Sequence, residues 1–251
     1  MRTIYKRPPP NVYTEWRLPR MAADRPDGMV CTYAELRRAT SVLEAVEDSL
    51  FAEQGGICAY TGLKIGLMQT AARKIQFHLE HLIPQRPQVY EYGKDADYSN
   101  LVACWPPPNQ PAEPTFGARK KGNWPSQAEQ GSFLSPTSAN CGTRFTFNHR
   151  GEISATNPAD DPALRTIDRL GLDNKELTNL RQMRIRGVLN PGKAKLIKLN
   201  EAEKLLKEMQ MDAEIVRSGG TAQLMEFCFA VEPALEREIR KLKSIVKQSH
   251  Q

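Results

Sequence analysis

Seven prolines fall between residues 106 and 136, at positions 106, 107, 108, 111, 114, 125 and 136. Proline locks φ and lacks a backbone N–H, so neither a regular helix nor a central strand crosses this stretch. The chain is thereby split into a mixed front part and a back part with its own pattern. So long an irregular segment inside a compact domain is usually functional or disordered. Beyond residue 162 the periodicity becomes helical. The stretches 165–171, 174–189, 192–211 and 221–248 repeat apolar residues at three- and four-residue steps. Asn190-Pro191-Gly192 separates the second from the third.

The front part alternates its signals. Residues 1–20 hold four prolines and five Lys or Arg, with Tyr5, Tyr13 and Trp16 between them. Three successive prolines favour polyproline II. The expectation is an extended arm over residues 1–32, serving as a strap across the domain or as a docking arm for a partner. Leu36, Val42, Leu43, Val46, Leu50 and Phe51 predict a helix over 33–54, ended by Gly55-Gly56. Residues 74–83 (KIQFHLEHLI) alternate as a strand does. Residues 145–153 read as a hairpin turning at 148–151.

Composition narrows the function classes. The 251 residues hold 35 Lys plus Arg against 29 Asp plus Glu, a formal charge of +6. That balance permits a polyanionic partner but does not require one. No apolar run approaches the length of a membrane span, and residues 1–10 carry no apolar stretch of the signal-peptide kind. The expectation is a cytoplasmic protein without a membrane partner. Cys31, Cys58, Cys104, Cys141 and Cys228 are odd in number and scattered, which is no disulfide framework. P-loop, GxSxG and GxGxxG patterns are absent.

The chemistry-bearing stretch is FHLEHLIP at 77–84, followed by Asn100-Leu101, Cys104 and Asn109. Cutting a phosphodiester takes a water, a base for its proton and a cation for the developing charge. Carboxylate and amide oxygens suit a hard divalent cation, and a neutral imidazole suits the proton. Neighbours on a strand point to opposite faces, so Glu80 and His81 address one phosphate only at a strand end or distortion.

This arrangement resembles the HNH endonucleases, whose core is a ββα-metal fold. The wider pattern resembles the HNH subunit of Septu-type anti-phage systems, including those attached to retrons. It is carried by residues 54–60 (QGGICAY), 79–84, 100–101, 117–122 (GARKKG), 133–136, 145–147, 151–153 and 166–172, and covers roughly residues 40–190. The resemblance implies Glu80 and Asn109 as metal ligands, His81 as general base and Asn100 as the brace of the base and its loop. His78 is left open between an outer partner or alternative ligand and a structural or phosphate-binding residue. The implied cofactor is Mg²⁺ or Mn²⁺. Many relatives carry two CxxC knuckles around a structural Zn²⁺; here Thr61 and Pro107 stand where two of the cysteines belong, so a structural Zn²⁺ is not expected. The implied partners are an ABC/SMC-like ATPase and, in retron versions, a reverse transcriptase with its RNA–DNA hybrid.

Arg119, Lys120 and Lys121, beside the motif, are candidate phosphate contacts. Between Arg181 and Lys198 lie six basic residues and no acid, including Arg184 and Arg186. They are candidates for a nucleic-acid face or for an acidic protein partner. The expected architecture is α+β: an arm over 1–32, an HNH core over 33–160 and a helical region over 161–251. The expected function is metal-dependent cleavage of DNA, or of RNA such as tRNA. The alternative is an inactive HNH scaffold that binds nucleic acid or the ATPase.

Overall fold

The computed structural model describes residues 1–68, 74–85, 91–108, 115–192 and 196–248. Asn109, Lys193 and Lys195 lie outside the described residues. The architecture is α+β, with helices α1 (Asn11–Met21), α2 (Tyr33–Arg38) and α3 (Thr40–Glu53) at the front. Among the described residues six short strands follow in three antiparallel pairs: β1 (Leu67–Met68) with β2 (Lys74–Ile75), β3 (His78–His81) with β4 (Leu101–Cys104), and β5 (Phe145–Phe147) with β6 (Ile153–Ala155). The one-turn helix α4 (Ala118–Lys121) interrupts the proline-rich stretch. Helices α5 (Asp161–Leu170), α6 (Lys175–Leu189), α7 (Leu199–Arg217) and α8 (Cys228–Gln248) complete the described chain.

The arm departs from expectation. Only residues 1–10 are extended; Asn11–Met21 is helical, opening directly after Pro10 and carrying Pro19 near its end. Tyr13 and Trp16, one turn apart, are its buried face. The Tyr13 hydroxyl donates to the Ala96 carbonyl at 2.6 Å and accepts from the Tyr98 N–H at 2.9 Å. Burial of two aromatic rings outweighs a local sequence that favours extension. The extended residues are a strap. The Ile4 N–H reaches the Pro136 carbonyl, and Arg7 donates to the carbonyl of Gly220.

The helix predicted over 33–54 breaks at Ala39, whose φ of −84° and ψ of 73° separate α2 from α3. Thr32 caps α2 by accepting the Glu35 N–H. The predicted strand over 74–83 is two pieces, β2 and β3. The hairpin has the expected register, Phe145 opposite Ala155 and Phe147 opposite Ile153, with Thr146 and Ser154 outward. At its turn, Gly151 has φ +75°, and a Cβ there would lie 2.6 Å from the Thr178 carbonyl on α6. Helix α5 starts at the Asp160 cap and stops at Gly171 in the left-handed region. Helices α7 and α8 begin later than the periodicity predicts. The segment before α8 is still core, since Leu224 and Phe227 are buried.

One buried cluster draws on all three predicted segments. Ile4 and Trp16 from the arm, Tyr60 and Phe77 from the middle, and Leu224 and Leu235 from the back belong to it. Its polar centre is Glu53. That carboxylate receives Lys6 Nζ at 2.6 Å, the Arg7 N–H at 3.1 Å and the Tyr98 hydroxyl at 2.8 Å. Burial holds the Lys6 ammonium below its ordinary value, against the pull of Glu53. Among the described residues, no helix is long and apolar enough to cross a membrane.

Candidate functional site

Strands β3 and β4 pair with His78 opposite Cys104, Glu80 opposite Val102 and His81 opposite Leu101. All four residues of β4 are buried, so β3 lies on a rigid floor. The pairing extends one step further, as the Leu82 N–H donates to the Asn100 carbonyl at 2.8 Å. His81 is therefore the last residue of β3, where the strict alternation of the strand ends. Glu80 and His81 both line one mostly polar cavity of about 420 Å³, together with Gln85, Lys121 and Asn123.

Asn100 holds the loop that leaves β3. Its Oδ1 accepts the Ile83 N–H at 2.8 Å, and its Nδ2 donates to the carbonyls of Ile83 and Lys94 at 3.0 and 3.1 Å. The buried side chain thus joins both ends of the loop with three hydrogen bonds. Asp95, one residue beyond Lys94, meets the catalytic candidate. The His81 Nε2 lies 2.7 Å from the Asp95 carbonyl. A carbonyl only accepts, so Nε2 carries the proton and Nδ1 keeps its lone pair. The Gln85 amide donates to that Nδ1 at 3.2 Å. Tyr33, edge-on to the imidazole at 4.7 Å, closes the other side, and its N–H donates to the Asp95 carboxylate. Burial holds His81 below its ordinary pKa, although the Asp95 carbonyl and Glu80 act in the opposite direction. The site keeps a neutral, oriented imidazole with its basic nitrogen toward the cavity residue Gln85.

Lys121 is not the exposed phosphate contact its sequence position suggests. Its side chain is 1% exposed. Its Nζ donates to Glu80 Oε1 at 2.9 Å and to the His81 carbonyl at 2.8 Å. Helix α4 delivers it: Gly117, with φ +70°, opens that turn and donates its N–H to the Leu170 carbonyl of α5. Arg119 and Lys120 are exposed beside it. Arg181 is likewise no surface residue. It is 1% exposed and donates to the carbonyls of Gly151 and Leu172 at 2.7 Å, tying the hairpin to α6. Arg186 and Lys198 are exposed and Arg184 half-buried, so the expected basic face is reduced to these three among the described residues.

Because Lys121 claims Oε1, Glu80 turns a single oxygen, Oε2, toward His78 Nε2 at 3.8 Å. Among the described residues, no three of His, Cys, Asp and Glu gather as a metal cage. A divalent cation bound chiefly by waters and substrate phosphate needs only one or two carboxylates, so this donor set fits Mg²⁺. The ring of His78 is anchored by Nδ1, 2.5 Å from the Pro106 carbonyl. Burial disfavours its charge, yet Glu80 and that carbonyl together raise its pKa.

Behind the site, Cys58 meets Thr61, Cys104 and the Trp105 backbone. Cys58 is buried and pushed upward by burial, but hydrogen bonds from Cys104, Thr61 and the Trp105 backbone outweigh this and bring it to about 6. Cys104 is raised well above its ordinary value by burial and by Cys58. Thr61 is thus a hydroxyl partner of Cys58.

Sequence reasoning missed Gln85, Tyr33 and the carbonyls of Asp95 and Pro106. Nothing local marks them, since each acts through a residue distant in sequence or through its backbone. No protein-family model matches this chain, and no curated protein matches it either.

Proposed function

We propose that the chain is a metal-dependent phosphodiesterase of the HNH type, cutting DNA in preference to RNA, as the effector of an anti-phage complex with an ABC/SMC-like ATPase. The observation that carries the chemistry is His81: a buried imidazole with one nitrogen tied to the Asp95 carbonyl and the other turned to the Gln85 amide, beside Glu80. The ββα-metal core and the partners rest on the resemblance of residues 54–60, 79–84 and 100–101.

In this reading His81 Nδ1 takes a proton from a water that displaces the Gln85 amide. The Asp95 carbonyl stabilises the imidazolium so formed through the Nε2–H. Asn100 keeps that carbonyl in place by pinning Lys94 and Ile83. Lys121 orients Glu80 and adds positive charge near the scissile phosphate. Glu80 would hold the cation, Mg²⁺ or Mn²⁺, which would supply Lewis-acid stabilisation of the phosphate and the leaving oxygen.

The test uses the full chain, alone and co-expressed with a candidate ATPase, on plasmid DNA and total tRNA with Mg²⁺ or EDTA. Metal-dependent cutting by wild type that disappears in His81→Ala supports the nuclease, and the substrate consumed decides DNA against RNA. Equal behaviour of the two proteins favours the alternative, a non-cutting scaffold.

A further inference from the structure

We infer that His78 is a direct donor to the cation at Glu80, so that the site selects a first-row transition cation such as Mn²⁺ over Mg²⁺. The inference builds on the nuclease reading for the cation's purpose, while cation binding itself stands or falls separately.

Four observations lead there. His78 and Glu80 are two residues apart on β3 and so share a face of the β3–β4 pair. The Pro106 carbonyl, 2.5 Å from Nδ1, can only accept, so Nδ1 carries a proton and Nε2 is the nitrogen turned to Glu80. That is the usual anchoring of a metal-binding histidine, whose second nitrogen donates to a carbonyl that fixes ring and tautomer. Lys121 holds Glu80 Oε1, so Oε2 is the oxygen turned to His78. Finally, Nε2 and Oε2 are 3.8 Å apart, beyond a direct hydrogen bond. Donors about 2.1 Å from a shared cation lie roughly 3–4 Å apart.

The donor pair decides the cation. Mg²⁺ prefers an all-oxygen shell, whereas imidazole nitrogen binds first-row transition cations better. One nitrogen and one oxygen from the protein, with the remaining positions supplied by water and phosphate, suit Mn²⁺ or a later cation. The competing arrangement, an imidazole that merely rests against Glu80, is an outcome of the test.

The experiment is a Mn²⁺ titration of the full-length chain followed by electron paramagnetic resonance, with pulsed detection of ¹⁴N coupling to the bound ion. Wild type should bind Mn²⁺ with a ¹⁴N signal and retain it against a large excess of Mg²⁺. His78→Gln, whose amide can still donate to Pro106, should lose the ¹⁴N signal and bind Mn²⁺ about tenfold or more weakly. Glu80→Gln removes the other donor and should weaken binding as well. His81→Ala should keep both binding and ¹⁴N coupling. Circular dichroism on each preparation shows that it is folded. A ¹⁴N signal that persists in His78→Gln, an oxygen-only signal in wild type, or no Mn²⁺ binding would each overturn the inference. Plasmid nicking on the same preparations separates the two readings. Mg²⁺-driven nicking without ¹⁴N coupling removes the His78 role and leaves the nuclease; ¹⁴N coupling at His78 without nicking does the reverse.

Discussion

At the scale of single residues, the site turns on three side chains in unlike electrostatic settings. In the proposed reaction His81 is the base; burial lowers its pKa, and a base works only when deprotonated. Lowering its pKa therefore extends activity downward in pH. The acid limb of the cleavage profile should fall below the ordinary histidine midpoint of 6.5, and a pH–rate series checks it. Lys121 and Glu80 form an ion pair with little access to water. Removing one partner of such a pair leaves a buried charge, so Lys121→Met should destabilise the chain by about 3 kcal/mol, measured by urea denaturation. Asn100→Ala removes three hydrogen bonds within the β3–β4 loop. It should cost about 2–3 kcal/mol and, by freeing Asp95, lower cleavage more than substrate binding. Glu80, His81 and Asn100 were legible as candidates because they are polar residues set among apolar neighbours close in sequence, and the structure gathers them at the end of β3. The burial of Lys121 and Arg181 was not, because a basic residue in a loop or on a helix face looks the same in sequence whether it meets solvent or a carboxylate. Only the positions of Glu80, 41 residues away, and Gly151, 30 away, distinguish the cases.

At the scale of elements, the helices of the back part were legible from their spacing, and the first one carries a further marker. Asp160 caps α5 through the Ala163 N–H and also grips Arg144 beside β5. Arg144 holds its carboxyl below the ordinary value of 3.8. The sign follows: the stabilisation is present above the unfolded carboxylate range and fades as pH falls through the lower folded value. Asp160→Asn should therefore lose about 1 kcal/mol near neutrality and show a shallower acid limb in thermal melts. Gly151→Ala places a methyl group against the α6 backbone in a left-handed turn. A loss of about 2–3 kcal/mol is expected, with the hairpin and α6 affected together. Helix α1 was not legible. Its prolines argue for extension, and the groups that reward helix formation, the Ala96 carbonyl and the Tyr98 N–H, lie more than 80 residues away.

At the scale of the whole molecule, the divisions expected at residues 32 and 160 are crossed by the core. The Phe227 N–H bonds to the Gly62 carbonyl, the Leu224 N–H to the Gly55 carbonyl, and the Phe147 ring meets Phe229. Composition shifts at those positions were visible in sequence, but a composition shift does not say which surfaces meet. A fragment of residues 1–160 is expected to expose that seam and to unfold without a cooperative transition, whereas the full chain should melt in one step by calorimetry. The strap adds a matter of timing. Arg7 bonds to a carbonyl 213 residues later. At about 5–20 residues per second, a ribosome needs roughly 10–40 s to make the intervening chain. During that interval the strap can already reach Glu53 and Pro136, but the Arg7 guanidinium lacks the carbonyls of Val216 and Gly220 that hold it in the finished chain. One guanidinium near the start of the chain is thus satisfied only near its end, and a nascent chain stalled before residue 216 should hold its arm less firmly against proteases than the full chain does.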